Sequence, residues 1–322
     1  MTELLTRPLL EPAQQEMQAR MVALMNQLAP AEGLTHPGLD GVKLMRSNRS
    51  LPRSPVLYEP CIVVICQGRK IGHLGDMSFI YDAQQFLVLS VPLPFESETH
   101  ASLDEPLLGL SIGLDLSVIA ELMLALDETG GFADNNPKGI YATAMDARLA
   151  DAVVRLMEVL ASPVEARLLG PSIIREIYFR VLAGPQGSAI RAALAHQSQF
   201  SKVAKALRRI HAEYHSDLDV AQLADEAGMS IPAFHATFKA VTATSPIQYV
   251  KTTRLHKARL LMVQDGMSAA VAATRVGYES ASQFSREFKR FFGRTPLEEA
   301  RQMKHVLDAA GTDSNTRYVT VQ

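Results

Sequence analysis

The chain has no tryptophan and only two cysteines among its 322 residues. Two cysteines exclude a disulfide framework, and together with 13 methionines they suit a reducing, cytoplasmic setting. Long hydrophobic runs are missing too: stretches such as 61–66 and 86–91 fall far short of the roughly 20 residues a membrane-crossing helix needs. No secretory leader is expected, because Arg7 and Pro8 interrupt the apolar start. Catalytic templates are absent in turn. There is no Gly-x-Ser-x-Gly elbow, no Gly-rich loop ending in Lys-Ser/Thr and no Cys-x-x-Cys pair. The glycines around 68–75 lack the strand-to-helix context of a dinucleotide site. These gaps argue against an enzyme, and no cofactor is implied.

Positive charge, by contrast, is concentrated in one place. The formal net charge is −2, yet residues 198–304 hold 16 Lys and Arg against 10 Asp and Glu, and the rest holds 16 against 24. A basic C-terminal third on an acidic remainder points to an anionic partner for that third; the plainer alternative is a solvated charged face. The length suits two domains, and 47% hydrophobic content suits packed cores.

Periodicity divides the chain into five segments. Residues 1–33 form an arm with a helix over 12–28, where Met17, Met21, Leu24, Met25 and Leu28 recur at helical spacing. Residues 34–115 read as a small antiparallel barrel or double-sheet roll: an irregular lead-in over 34–60, then strands at 61–66, 78–81, 86–91 and 107–112. Glu96, Glu98 and His100 read there as a surface loop. Residues 116–190 are helical, with helices over 116–126, 145–160 and 164–182 and starts marked by Asp146 and Pro163. Gly184 and Gly187 bracket the best domain boundary. Helices resume over 198–304, and 305–322 reads as a tail. The expected fold class is α+β.

The most telling pattern lies in the basic third, where one motif occurs twice. Gly228 and Gly277 are 49 positions apart, and Phe238 and Phe288, like Pro246 and Pro296, are 50 apart. Each copy predicts a helix, a glycine turn and a second helix begun by serine, Ser230 or Ser280. Phe234, Phe238 and Val241 form the buried stripe of one second helix, and Phe284, Phe288 and Phe291 that of the other. A helix over 247–264 joins the copies, about 27 Å long at 1.5 Å per residue. That spacer suits two recognition helices one DNA turn apart, about 34 Å. Its Lys251, Arg254, Lys257 and Arg259 are placed to approach phosphates or acidic faces of the bundle. An ordinary helical domain with Phe-rich core stripes is the competing reading.

The run from Gly277 to Pro296, GYESASQFSREFKRFFGRTP, resembles the signature of AraC/XylS-type transcriptional regulators, and the likeness covers about residues 200–303. Tyr58-Glu59-Pro60, Gln67-Gly68-Arg69-Lys70, Gly75-Asp76, the 88–91 run, Leu169-Gly170-Pro171 and 184–187 resemble, more loosely, a branch with a cupin-like N-terminal regulatory domain. The resemblance implies double-stranded promoter DNA as partner. A small-molecule effector or dimerising role is implied for 34–115, with a homodimer seam on one of the 145–183 helices. RNA polymerase is a partner if the protein activates.

Carried over position by position, the base-facing residues are Pro232, His235 and Ala236 in the first copy and Ser282, Gln283, Ser285 and Arg286 in the second. Lys239, Lys289 and Arg290 lie further along the same helices, suited to phosphates. Ala236 departs from the family's frequent arginine, which leaves His235 as the first copy's one hydrogen-bonding side chain. Sequence discrimination is therefore expected mainly from the second copy.

In the regulatory segment Arg69 and Lys70 suit either an acidic ligand or a solvated strand end, and Tyr58, Phe79, Tyr81 and Phe95 suit core packing better than a pocket. Cys61 and Cys66, five apart, should face opposite sides of one strand, which disfavours a disulfide between them; a reactive sensing thiol is the lesser alternative. No metal site is expected, since the segment's histidines are His73 and His100, with His36 just before it and no His-x-His pair. The leading reading is a sequence-specific transcription factor with an N-terminal sensor. A cupin-type metal enzyme fused to a DNA-tethering domain is the alternative, and a ligand-free structural DNA-binding protein is a third.

Overall fold

Among the described residues ten short strands pair into one curled antiparallel sheet, and helices pack on both of its faces. The computed structural model describes residues 12–83, 85–127, 139–184, 187 and 199–308. The expected arm before residue 12, the segment 188–198 and the tail beyond 308 lie outside the described residues. The strands are β1 (Gly33–Thr35), β2 (Val42–Ser47), β3 (Leu51–Tyr58), β4 (Cys61–Gln67), β5 (Arg69–Leu74), β6 (Met77–Asp82), β7 (Gln85–Leu89), β8 (Leu93–His100), β9 (Leu107–Gly113) and β10 (Ile140–Ala144). Their order is β1-β2-β9-β4-β7-β6-β5-β8-β3, and β10, off this path, pairs antiparallel with β7.

Strand β4 shows why the sheet needs two covers. Its first six residues are all buried, a continuous apolar run of the kind that both faces of a covered sheet require. Ile62, Val64 and Cys66 face one core with α1 (Pro12–Leu28), α2 (Leu116–Asp127), α3 (Ala147–Val159) and α4 (Pro163–Ala183). Cys61, Val63 and Ile65 face the other. The five-residue offset thus puts the two cysteines in different cores, both free and buried. Burial pushes each thiol up to about 12, the wrong direction for a reactive thiolate.

Three expectations needed correction. The lead-in over 34–60 contains strands β2 and β3, because β2 pairs with β9 and β3 with β8 despite their Pro, Ser and Arg content. Glu96, Glu98 and His100 are not a loop but part of β8, held between β3 and β5. The sheet also extends past residue 115, since β10 pairs along the whole of β7. The helices fall close to where periodicity put them, and Asp146 and Ser162 cap α3 and α4.

The C-terminal helices are α5 (Gln199–Glu213), α6 (Val220–Glu226), α7 (Ile231–Thr242), α8 (Pro246–Val263), α9 (Ala269–Arg275), α10 (Ala281–Phe292) and α11 (Pro296–Asp308). The second core fuses the sheet with the first of these: Leu207, Ile210, Phe234, Phe238 and Tyr249 pack with Tyr81, Leu89, Leu93 and Phe95. A third core joins the far half of α8 with α9 and α10, around Leu255, Met262, Phe284 and Phe288. None of the described helices is long and apolar enough to cross a membrane.

A polar chain locks the sheet to the helices. The Tyr249 hydroxyl donates to the Pro92 carbonyl at 2.7 Å, so His211 Nε2, 2.7 Å away, must donate to it. On the other side of the ring, His211 Nδ1 lies 3.3 Å from Glu59 Oε1, and Lys257 Nζ lies 3.9 Å from the same oxygen. Burial pushes the Glu59 carboxyl up, but His211, Lys257 and Lys43 outweigh it and hold the group below its ordinary value. Tyr249→Phe removes the centre of this chain and leaves two buried groups without a partner. It is expected to cost about 1–3 kcal/mol in urea denaturation of the full chain, and an unchanged midpoint would count against the lock.

Candidate nucleic-acid interface

The repeat folds as two units of the same build, each a seven-residue helix, a glycine turn and a twelve-residue helix. In the first, Asp219 caps α6, the chain turns at Gly228 with φ +59°, and Ser230 caps α7 by accepting from the Ala233 amide. In the second, Ser268 caps α9, Gly277 turns at φ +85°, and Ser280 caps α10 by accepting from the Gln283 amide at 3.2 Å. Only Gly277 is also required by space: a Cβ there would lie 2.4 Å from the His215 carbonyl oxygen. The buried rings repeat closely. Phe234 and Phe238 stack 5.5 Å apart at 53°, and Phe284 and Phe288 stack 5.4 Å apart at 55°. All four are fully buried, so they belong to the core and are not available to bases.

With these rings fixed, the opposite face of each helix is left outward. On α7, Pro232, Ala236 and Lys239 are exposed and His235 is half-buried. On α10, Ser282, Gln283, Ser285, Arg286, Lys289 and Arg290 are all exposed. The structure therefore brings each set of expected DNA-facing residues together on one helix face. Among the described residues the side chains of Arg286, Lys289 and Arg290 make no hydrogen bond or ion pair. Ser285 is different: its hydroxyl donates to the Ala281 carbonyl at 2.9 Å, so its proton is already used inside the helix. Gln283 donates to Glu287 at 3.2 Å.

The spacer α8 departs from one of its two expected roles. Lys251 pairs with Glu287 at 3.2 Å, and Arg259 pairs with Glu299 at 3.5 Å while lying over the Phe292 ring. Lys257 serves Glu59 and sits over Tyr214. Arg254 donates to the carbonyls of Tyr214, Ser216 and Gly277 at 2.7, 2.8 and 3.1 Å. All four cations hold the protein together and are not left waiting for phosphates. Arg254 ties the end of α5 to the second glycine turn, a role no sequence pattern announced because its three partners are backbone atoms.

The regulatory half offers less. Lys70 donates to the Tyr58 hydroxyl at 2.9 Å, and Tyr58 packs edge-on against Phe95 with centroids 5.0 Å apart. Arg69 lies 3.9 Å from Asp82. His73 Nε2 and His100 Nε2 lie 3.6 and 3.5 Å from Glu98 Oε1, but no group of three or more residues suited to holding a metal occurs among the described residues.

Two family descriptions match the chain. A family description for the AraC-type transcriptional regulator N-terminus matches residues 38–189, and one for a helix-turn-helix domain matches 223–302. The HTH-type transcriptional regulator AlkR of Acinetobacter baylyi is 33% identical over 95 residues, 30% of this chain and 31% of AlkR. ExsA of Pseudomonas aeruginosa is 28% identical over 163 residues, 51% of this chain and 58% of ExsA. The chain thus spans less than a third of one of these relatives and less than three fifths of the other. Among solved structures, ToxT of Vibrio cholerae bound to an unsaturated fatty acid superposes with a TM-score of 0.51 at 12% identity, over 80% of this chain and 94% of ToxT. That likeness is one of fold.

The two kinds of arginine should separate in a stability measurement. Arg254→Ala strands three carbonyls and is expected to cost at least about 2 kcal/mol, whereas Arg286→Ala, which breaks no contact, should stay within about 0.5 kcal/mol of the unaltered chain. Equal losses in chemical denaturation would contradict the assignment.

Proposed function

The chain belongs to the AraC-type transcriptional regulators, and on that premise we propose that it regulates transcription by binding promoter DNA sequence-specifically through α7 and α10. The observation that carries this reading is the repeat itself: two units with matching phenylalanine pairs, each leaving one helix face to solvent, polar and basic on α10 and largely small and apolar on α7. Side chains near the start of a recognition helix reach base edges in the major groove, and cations further along meet phosphates. On α10, Gln283 and Arg286 supply groups that match adenine and guanine edges. Ser282 adds a hydroxyl, while Ser285 keeps only its acceptor lone pairs. On α7, Pro232 and Ala236 offer apolar contact and His235 the hydrogen bond. Lys239, Lys289 and Arg290 serve the backbone.

The regulatory half acts as sensor or dimeriser, and the protein works in the cytoplasm without catalysis. ToxT's complex with an unsaturated fatty acid supports a small-molecule effector for this half without carrying over its identity. A homodimer seam is best supplied by α4. Val164, Leu168 and Phe179 recur at helical spacing and are 56%, 67% and 42% exposed, although part of the apolar stripe of this helix, Ile177 and Val181, is buried. If the protein activates, RNA polymerase is its further partner.

Two measurements test these readings. In titrations against one operator, Arg286→Ala is expected to cost about 1–3 kcal/mol of specific binding and His235→Ala less; equal losses would refute the inequality of the two helices. Sedimentation of the full chain should show a dimer that Leu168→Glu converts to monomer, and a wild-type monomer would remove α4 as a seam.

A further inference from the structure

Glu287 is the only acidic side chain on α10, one turn beyond Gln283 on a helix that otherwise carries cations. An acid so close to a polyanion is unfavourable unless something else requires it. Its carboxylate is held by donors from three elements. Tyr278, in the turn, donates its hydroxyl to Oε2 at 2.9 Å; Lys251, on α8, reaches Oε1 at 3.2 Å; and Gln283 Nε2 reaches Oε1 at 3.2 Å. The Glu287 side chain is only 14% exposed, whereas Gln283 is exposed. Burial pushes the carboxyl up, but its bonds to Gln283, Tyr278 and Lys251 hold it below the ordinary value, so it is ionised at neutral pH.

We propose that Glu287 is a specificity-determining positioning residue: it orients the Gln283 amide for base reading and keeps Lys251 away from the phosphates. The inference rests on the reading of α10 as a DNA-recognition helix. An ionised carboxylate only accepts hydrogen bonds, so the NH2 of Gln283 must be the group that faces it. One N–H is spent there. The carbonyl oxygen and the second N–H remain, an acceptor and a donor that match the N6 amine and N7 of adenine. An untethered glutamine would have to give up rotamer freedom on binding; this one has already done so. Lys251, neutralised by the same carboxylate, adds no sequence-blind attraction. Glu287 thereby raises discrimination twice, by favouring the right base and by withholding affinity from every other sequence.

The test is selection from a random double-stranded DNA pool by the full-length chain, followed by competition binding across a salt series, for wild type, Glu287→Gln, Gln283→Ala and the double variant. Gln283→Ala identifies the base pair that Gln283 reads. Glu287→Gln preserves side-chain volume and is expected to lower preference at that same pair at least about 5-fold, within the range a bidentate contact supplies. Its binding to unrelated duplex should strengthen, with a salt dependence steeper by about one unit of slope, as the freed Lys251 meets phosphate. In the double variant the Glu287 change should have no further effect on base preference. Loss of fold would weaken all binding together and cannot produce this opposite movement. Unchanged base preference and salt slope in Glu287→Gln overturn the proposal, as does a uniform loss on all sequences. A wild-type chain that enriches no motif overturns the DNA-reading function itself.

Discussion

The packing of the first helix-turn-helix onto the curled sheet is the constraint on which the rest of the molecule depends. Cys61, Val63 and Ile65 leave β4 on the side opposite the regulatory helices and need a cover. The cover is Leu207 and Ile210 of α5, Phe234 and Phe238 of α7 and Tyr249 of α8. Burying each large side chain contributes about 1.5–3 kcal/mol, so this joint core is worth more than any single ion pair across it. The first DNA-binding unit therefore has no separate core: its buried face is also the inner face of the sheet. The polar chain from Pro92 through Tyr249 and His211 to Glu59 adds direction to that attachment without being its main source of strength.

This attachment explains why the two copies of the repeat are not chemically equal. Both recognition helices end in a left-handed cap whose amide bonds back to a lysine carbonyl at 2.8 Å, Ala243 to Lys239 and Gly293 to Lys289. Glycine is the low-cost residue at such a cap, and the second copy has it. The first has alanine at φ +58°, with its side chain partly buried against the joint core near Gly75. Packing on the regulatory half there outweighs backbone strain. The copy committed to the sheet carries Pro232 and Ala236 outward, and the copy with a core of its own carries the arginines, lysine and glutamine.

Much of this was legible in the sequence, for identifiable reasons. Helices with sustained periodicity, serine caps and the phenylalanine repeat are local features: α8 falls close to the expected 247–264, and Ser280 caps α10 as its position suggested. The cysteine faces followed from strand geometry alone. What escaped was non-local. Strands β2 and β3 carry proline, arginine and serine because β3 is an edge strand and β2 lies one from the other end of the order, so their identity depends on partners, not on alternation. Strand β10 is separated from β7 by β8, β9 and α2 and becomes visible only as a pairing. The cations of α8 suited phosphates as well as acidic faces of the bundle, because a charge in a sequence does not display its neighbour. Tyr214, Ser216 and Gly277 satisfy Arg254 through carbonyls that every residue possesses, and Glu299 lies 40 positions from Arg259.

The spacer helix is where these constraints meet. At its start Tyr249 and Val250 sit in the joint core; from its midpoint onward Leu255, Ala258 and Met262 build the core of the second unit, and between them Lys257 serves Glu59 of the regulatory half. Arg259 spans both, reaching the Pro55 carbonyl of β3 at 3.4 Å and the buried Glu299 of α11. A single rigid helix that is buried on both sides cannot shift against the sheet without moving the second unit relative to the first. A ligand that moved α8 against the sheet would therefore change the relative presentation of α7 and α10. By linkage, DNA that selects one presentation must alter the affinity for that ligand by the same factor. The physical basis of such coupling is in place in the fold, because the regulatory and DNA-facing halves share a core and do not merely touch.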